Sequence, residues 1–197
     1  MLLLLRCRNT AVRRHWSMLL RSKLSKIFCQ KKTSLPCNEL MIRIVKFFRC
    51  PALKILVLHD FMPHESSILI PKLISKWKNL EVLSLRWSYN MADIIPQIGF
   101  HCKKFVQLNA PNSIIGKDES SAMVTFVPNI RHLFLKGSGI KQENLVIILQ
   151  GCKELVSLDV SDCIGFKDDD AEILQLASHI PAFVCEGSRI LIPQLTD

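Results

Sequence analysis

Three carboxylates in a row, Asp168-Asp169-Asp170, six histidines and eight cysteines are the side chains of this 197-residue chain best suited to chemistry. Adjacent carboxylates could hold a cation, but a calcium loop spaces its acids alternately around a glycine, and this run does neither. Standing just ahead of Ile173, Leu174, Leu176 and Ile180, the three acids predict a helix start, where carboxylates accept unpaired N–H groups and complement the helix dipole. The histidines (His15, His59, His64, His101, His132 and His179) form no HExxH motif and join no cysteine pair at zinc spacing. His59-Asp60 has no serine on a strained turn to activate. Gly137-Ser138-Gly139 lacks the continuation of a phosphate-binding loop. The residues predict no catalytic group, no cofactor and no metal site, hence a chain that is not an enzyme.

The cysteines lead to the organisation instead. In CKELVSLDVSDC, residues 152–163, the apolar positions Leu155, Leu158 and Val160 are spaced three and then two apart. The same set lies 25 residues earlier at Ile130, Leu133 and Leu135, then at Phe105, Leu108 and Ala110, then at Leu80, Leu83 and Leu85. It lies 25 residues later at Ile180, Phe183 and Cys185, and an earlier copy at Leu53, Leu56 and Leu58 stands 27 residues before its successor. All eighteen positions are apolar or cysteine, so the chain is a repeat. Cys50, Cys102 and Cys152 each precede a copy by three residues, where other copies have Trp77 and Val127. A site that takes Cys, Trp or Val is a core site for a small hydrophobe. Cysteines two repeats apart would stand about 10 Å from one another, beyond the roughly 7 Å reach of a disulfide. A reducing compartment, cytoplasmic or nuclear, is expected.

Two inward residues flanking one outward residue make a short strand. Ile140 or Phe166 then turns inward, and Gln142–Gln150 predicts a helix that buries Leu145, Ile148 and Leu149 and stops near Gly151. One such unit cannot cover its own apolar edge, so the copies must stack. The expected fold is an α/β solenoid, with parallel strands on a concave face and helices on a convex one. About five to six repeats fit into residues 39–186, followed by a tail at 187–197. Residues 68–77 predict a helix after Pro71, and Pro96 predicts an irregular convex segment after Trp87. The apolar tail Arg189-Ile190-Leu191-Ile192-Pro193 offers no polar cap, so fraying ends or low solubility are expected.

The net charge of +9 is concentrated in residues 1–38, with nine Lys or Arg and no acid; residues 39–197 carry 17 of each sign. No nucleic-acid partner is expected of a neutral repeat body, and no apolar run approaches the roughly 20 residues of a membrane span. The four-leucine run at Leu2–Leu5 is too short for a signal-peptide core of about 7–15 residues. The basic leader, expected to be disordered, has the composition of a mitochondrial transit peptide, of an interaction arm, or of a start left where a longer protein is cut short.

Cys152, Leu155, Leu158, Val160, Cys163, Phe166 and Asp168 fill the pattern C-x-x-L-x-x-L-x-L-x-x-C-x-x-I-x-D in order, and Cys50-Pro51-Ala52-Leu53 is similar to its opening. Over about residues 36–186 the chain resembles the cysteine-containing leucine-rich repeats of F-box proteins, and WKNLEVLSLRW resembles plant members. The resemblance implies repeats that recruit a target protein to an SCF-type ubiquitin ligase. It also implies an F-box that binds the ligase adaptor. Leu35-Pro36-Cys37-Asn38-Glu39-Leu40 resembles an F-box opening, but Glu39–Phe48 runs directly into Cys50 and reads as a repeat helix. An adaptor is therefore expected only if a longer form supplies the F-box. The alternative is a free-standing repeat scaffold, directed to an organelle by its leader.

Outward strand positions would form the binding surface for a protein partner. Val82, Ser84, Gln107, Asn109, His132, Phe134, Ser157 and Asp159 lie on the strands, with Arg86, Trp87 and Lys136 beside them. Phe, Trp and Arg are the types that most often anchor protein contacts.

Overall fold

The computed structural model describes residues 53–58, 69–85 and 91–190, together with the backbone of residues 3–6. The expectations placed on Arg86 and Trp87, on Glu39–Phe48 and on the rest of the leader lie outside the described residues. In chain order the elements are β1 (Leu3–Arg6), β2 (Ile55–Leu58), α1 (Leu69–Ile74), β3 (Val82–Leu85), α2 (Met91–His101) and β4 (Gln107–Asn109). There follow β5 (Ile114–Ile115), α3 (Lys117–Phe126), β6 (His132–Phe134), β7 (Gly139–Ile140), α4 (Gln142–Gly151), β8 (Ser157–Asp159), α5 (Ala171–Ala177) and β9 (Ala182–Val184). Strands and helices are interspersed along the chain, giving a mixed α/β architecture with a mostly parallel sheet.

The sheet order is β1-β2-β3-β4-β6-β8-β9. From β2 onward every pair is parallel, and the register places Leu56, Leu83, Leu108, Leu133, Leu158 and Phe183 side by side. Those are the middle residues of the six copies, so the repeat period is the strand register. β1 pairs antiparallel with β2, Leu4 opposite Val57 and Arg6 opposite Ile55; the sequence assigned no element to this segment. A second, narrow ladder joins β5 to β7 and continues through single bridges from Gly139 to Ile164 and from Ile164 to Arg189.

The core fills the space between sheet and helices. The inward repeat positions are buried, from Leu53 through Cys185, apart from the half-buried Phe183 on β9; Leu58 is described by its backbone alone. Ile140 and Phe166 are buried as expected, and α4 buries Leu145, Ile148 and Leu149. Each helix packs on the next, α1 on α2, then α3, α4 and α5.

One expectation is corrected. The segment carrying Pro96 is the continuous eleven-residue helix α2, with Pro96 inside it. Met91, Ile94, Ile95 and Ile98 are fully buried on its inner face. Their burial offsets the single backbone bond that proline removes, because each such side chain contributes roughly 1.5–3 kcal/mol. Pro71 falls in the first turn of α1, where a missing N–H costs little.

Two further ladders follow the 25-residue step. Asn112, Gly137, Asp162 and Gly187 have φ of 55, 70, 55 and 76°, the left-handed turn that Asn, Asp and Gly tolerate. Their N–H groups chain the turns together, with Asn112 donating to the Lys136 carbonyl, Gly137 to that of Ser161 and Asp162 to that of Glu186. One residue further on, Ser113, Ser138, Cys163 and Ser188 are all buried. The Ser138 hydroxyl accepts from the Ser113 N–H at 3.0 Å, and the Ser188 hydroxyl accepts from Cys163 N–H at 3.0 Å while donating to the Val160 carbonyl at 2.7 Å. The Cys163 thiol donates to the Leu135 carbonyl at 3.3 Å. The Ser138 and Ser188 hydroxyls and the Cys163 thiol thus tie each copy to the one before it and satisfy backbone groups that burial would otherwise strand. The buried Ser113 hydroxyl has no hydrogen-bond partner among the described residues.

The acidic run is a helix start. Asp170 caps α5 by accepting from the Ile173 N–H at 3.1 Å, and Asp168 accepts from the Gly187 N–H at 2.9 Å, in the next copy's turn. Asp170→Ala should lower unfolding free energy by about 1 kcal/mol in urea titration, the usual cost of a lost N-cap.

Candidate functional site: the outer face of the sheet

On β2, β3, β4, β6 and β8 a buried residue is flanked by two that face outward, and on β9 the half-buried Phe183 takes the middle place. The parallel register lines the outward ones into rows. One row runs Ile55, Val82, Gln107, His132, Ser157 and Ala182; the other runs Val57, Ser84, Asn109, Phe134, Asp159 and Val184. The expected face residues on β3, β4, β6 and β8 therefore do come together, and all are half-buried. Ala182 and Val184 extend both rows onto β9, and Val184 is 40% exposed. The same 25-residue step from Ser157 and Asp159 reaches them, a signal the sequence contained and the residue-type reading passed over.

The centre of the face is polar. His132 Nδ1 lies 3.3 Å from Ser157 Oγ on the neighbouring strand. Asp159 Oδ1 accepts from the Ser161 N–H at 3.0 Å and from the Ser161 hydroxyl at 2.6 Å. Ser161, two residues beyond Asp159, is buried and turned back onto that carboxylate. Lys136 is exposed and pairs with Asp162 at 3.1 Å. The Asp162 hydrogen bond, then the charges of Asp162 and Asp159, hold its pKa above the usual lysine value. Phe134 stands between Asn109 and Asp159 as the aromatic of the central strands. Toward β2 the rows become aliphatic at Ile55, Val57 and Val82.

Among the described residues no cluster of three His, Cys, Asp or Glu could hold a metal ion, and no helix is long and apolar enough to cross a membrane. Cys102, Cys152, Cys163 and Cys185 are free, buried thiols. Burial pushes Cys102, Cys152 and Cys163 up to about 11. Thiols that stay protonated near neutrality are poor nucleophiles. They also set a pH limit. An unfolded cysteine ionises near 8.5, so between roughly pH 8.5 and 11 the unfolded chain sheds protons that the folded chain keeps, and folding loses free energy as pH rises. The loss from each of the three is on the order of 3 kcal/mol at most. The urea midpoint should hold from pH 7 to 7.5 and fall steeply by pH 10.5, and a flat profile would show the thiols to be solvated.

No protein-family model matches the chain. An F-box/LRR-repeat protein of Arabidopsis thaliana is 34% identical over 116 residues, which are 57% of this chain and 36% of that protein. A second from the same plant, provisionally named F-box/LRR-repeat protein 23, is 32% identical over 103 residues, 49% of this chain and 23% of that protein. This chain is similar to plant F-box/LRR-repeat proteins. The likeness fits the stacked 25-residue units and the resemblance carried by Cys152 to Asp168. The matched stretches span about a third of the first relative's length and about a quarter of the second's.

Proposed function

We propose that this chain is a non-enzymatic protein-recognition module, a curved leucine-rich-repeat solenoid whose strand face holds a partner protein. The observation that carries the proposal is the contrast between the two sides of each strand. Inward, Leu83, Leu108, Leu133 and Leu158 are one residue repeated; outward, their neighbours Ser84, Asn109, Phe134 and Asp159 are all different. Uniform packing on one side fixes the spacing at about 4.8 Å per strand, and variety on the other presents a particular sequence of groups at that spacing. Such a preformed surface binds without the ordering cost that a flexible segment must meet. The names of the relatives support placing the partner among the targets of an SCF-type ubiquitin ligase, with the adaptor engaged only through an F-box in a longer form. The buried free thiols suit a reducing compartment, cytoplasmic or nuclear.

The test is affinity capture from plant cells with the wild-type chain and with Phe134→Asp, each first checked for native circular dichroism. One reproducible protein should be retained by the wild type and depleted at least tenfold by Phe134→Asp. Adaptor and cullin in the same eluate support ligase attachment; a reproducible partner without them supports a free-standing scaffold. A partner retained equally by both chains would overturn the strand-face reading.

A further inference from the structure

The charge balance of the repeat body conceals a separation. Strands β2 to β9 are parallel and each helix returns the chain to the start of the next strand, so helix C-termini and strand N-termini share one edge of the stack, and helix N-termini and strand C-termini share the other. Among the described residues the first edge carries eight Lys or Arg and two acids, and the second carries eleven acids and five Lys or Arg. The edges thus bear about +6 and −6.

Helix dipoles account for part of this. Lys103 Nζ donates to the Gly99 carbonyl at 2.7 Å and Lys153 Nζ to the Leu149 carbonyl at 3.4 Å, each closing a helix C-terminus. A helix end is worth roughly half a charge, so five parallel helices neutralise at most about 2.5 charges per edge. More than half of the positive charge is left over. At the same edge, in the last turn of α2, Phe100 is 59% exposed, its ring centroid 5.3 Å from that of Phe126 in the last turn of α3. Exposed Lys76, Lys78, Lys103, Lys104, Arg131 and Lys153 lie along this edge, while the nearby Lys54 is paired with Glu81.

We infer that this basic edge is a second docking surface, independent of the strand face, and that its occupant is an acidic protein segment carrying one large apolar side chain. The aromatic pair supplies an apolar contact and the cations around it supply charge complementarity and steering. Lys78, Lys103 and Lys153 occupy equivalent places in their copies, and neighbouring helices pack about 8–10 Å apart. The row is therefore about 25–30 Å long, the reach of an extended segment of eight or nine residues. A row of phosphates would satisfy the lysines but would leave Phe100 without an apolar partner.

The experiment uses the full chain and two fluorescent probes, a twelve-residue Glu/Asp/Ser peptide with a single central leucine and a twelve-nucleotide oligouridylate. The leader carries nine Lys or Arg of its own, so the readout is the ratio of wild type to variant for each probe. Lys76→Glu/Lys104→Glu should weaken the peptide at least tenfold in 0.1 M salt. Phe100→Ser should weaken the peptide several-fold and leave the oligonucleotide within twofold. Lys117→Glu/Lys141→Glu, on the acidic edge, should change neither probe by more than twofold. Equal losses from the two double variants, or a peptide indifferent to Phe100→Ser, would overturn the inference while leaving the strand face untouched.

Discussion

Leu133→Ala should lower the unfolding free energy by about 3–5 kcal/mol, while Phe183→Ala should cost only about 1–2 kcal/mol. Both residues hold the same place in their copies, and a phenylalanine is the larger side chain to lose. The order is reversed by position. Leu133 is fully buried on β6, with Leu108 beside it on β4 and Leu158 on β8, so truncation opens a cavity lined from both sides. Phe183 on β9 is half-buried, with Leu158 beside it on β8. In a stacked array, stability is approximately a sum of unit terms and nearest-neighbour interfaces, and Leu133 belongs to two interfaces. Urea titration of the two variants against wild type measures the difference. Equal costs would mean that these side chains are not successive rungs of one stack.

The rungs were legible because packing admits few solutions at such a place. Leu83, Leu108, Leu133 and Leu158 recur because a residue wedged between two copies of itself has almost no freedom of size or polarity, and periodicity reads that restriction directly. The outward face was legible for the opposite reason: once the inward set was known, alternation placed Gln107, Asn109, His132 and Phe134 on the other side. Three features escaped. Pro96 signals a helix break on its own, and only the burial of Ile94, Ile95 and Ile98 shows why the helix continues. The turn of Asn112, Gly137, Asp162 and Gly187 is kept by a backbone conformation that three different residue types can adopt, so no single letter repeats. The charge separation vanished in the whole-chain count, which adds Lys103 to Asp118 without noting that one ends a helix and the other begins the next.

The second large effect is expected at Gly165. Gly165→Ala should destabilise by about 2–4 kcal/mol, whereas Gly139→Ala should stay within about 1 kcal/mol of wild type. Gly139 has open space where a methyl group would go. Gly165 adopts φ of 126°, well beyond the 55° that Asn112 and Asp162 sustain, and a Cβ there would lie 2.4 Å from the Ile140 carbonyl oxygen. That oxygen belongs to backbone and cannot swing aside as a side chain tip could. Relief would have to move β7 or the bridge beside it, where the Ile140 N–H donates to the Ile164 carbonyl at 2.8 Å and the Gly165 N–H to that of Arg189 at 2.9 Å. The glycine has a purpose in the repeat. Ile115 and Ile140 are inward residues 25 apart, and the next step lands on Gly165, yet the side chain buried there is Phe166. Gly165 is the extra residue that delays the inward turn by one place and lets a phenylalanine fill the space of an isoleucine. A substituted residue would have to displace Phe166 or distort the neighbouring copy. Loss of the urea midpoint together with new exposure of Phe166 to solvent, followed by hydrogen exchange across residues 164–168, would show the first; an unchanged midpoint would mean that the turn tolerates a side chain.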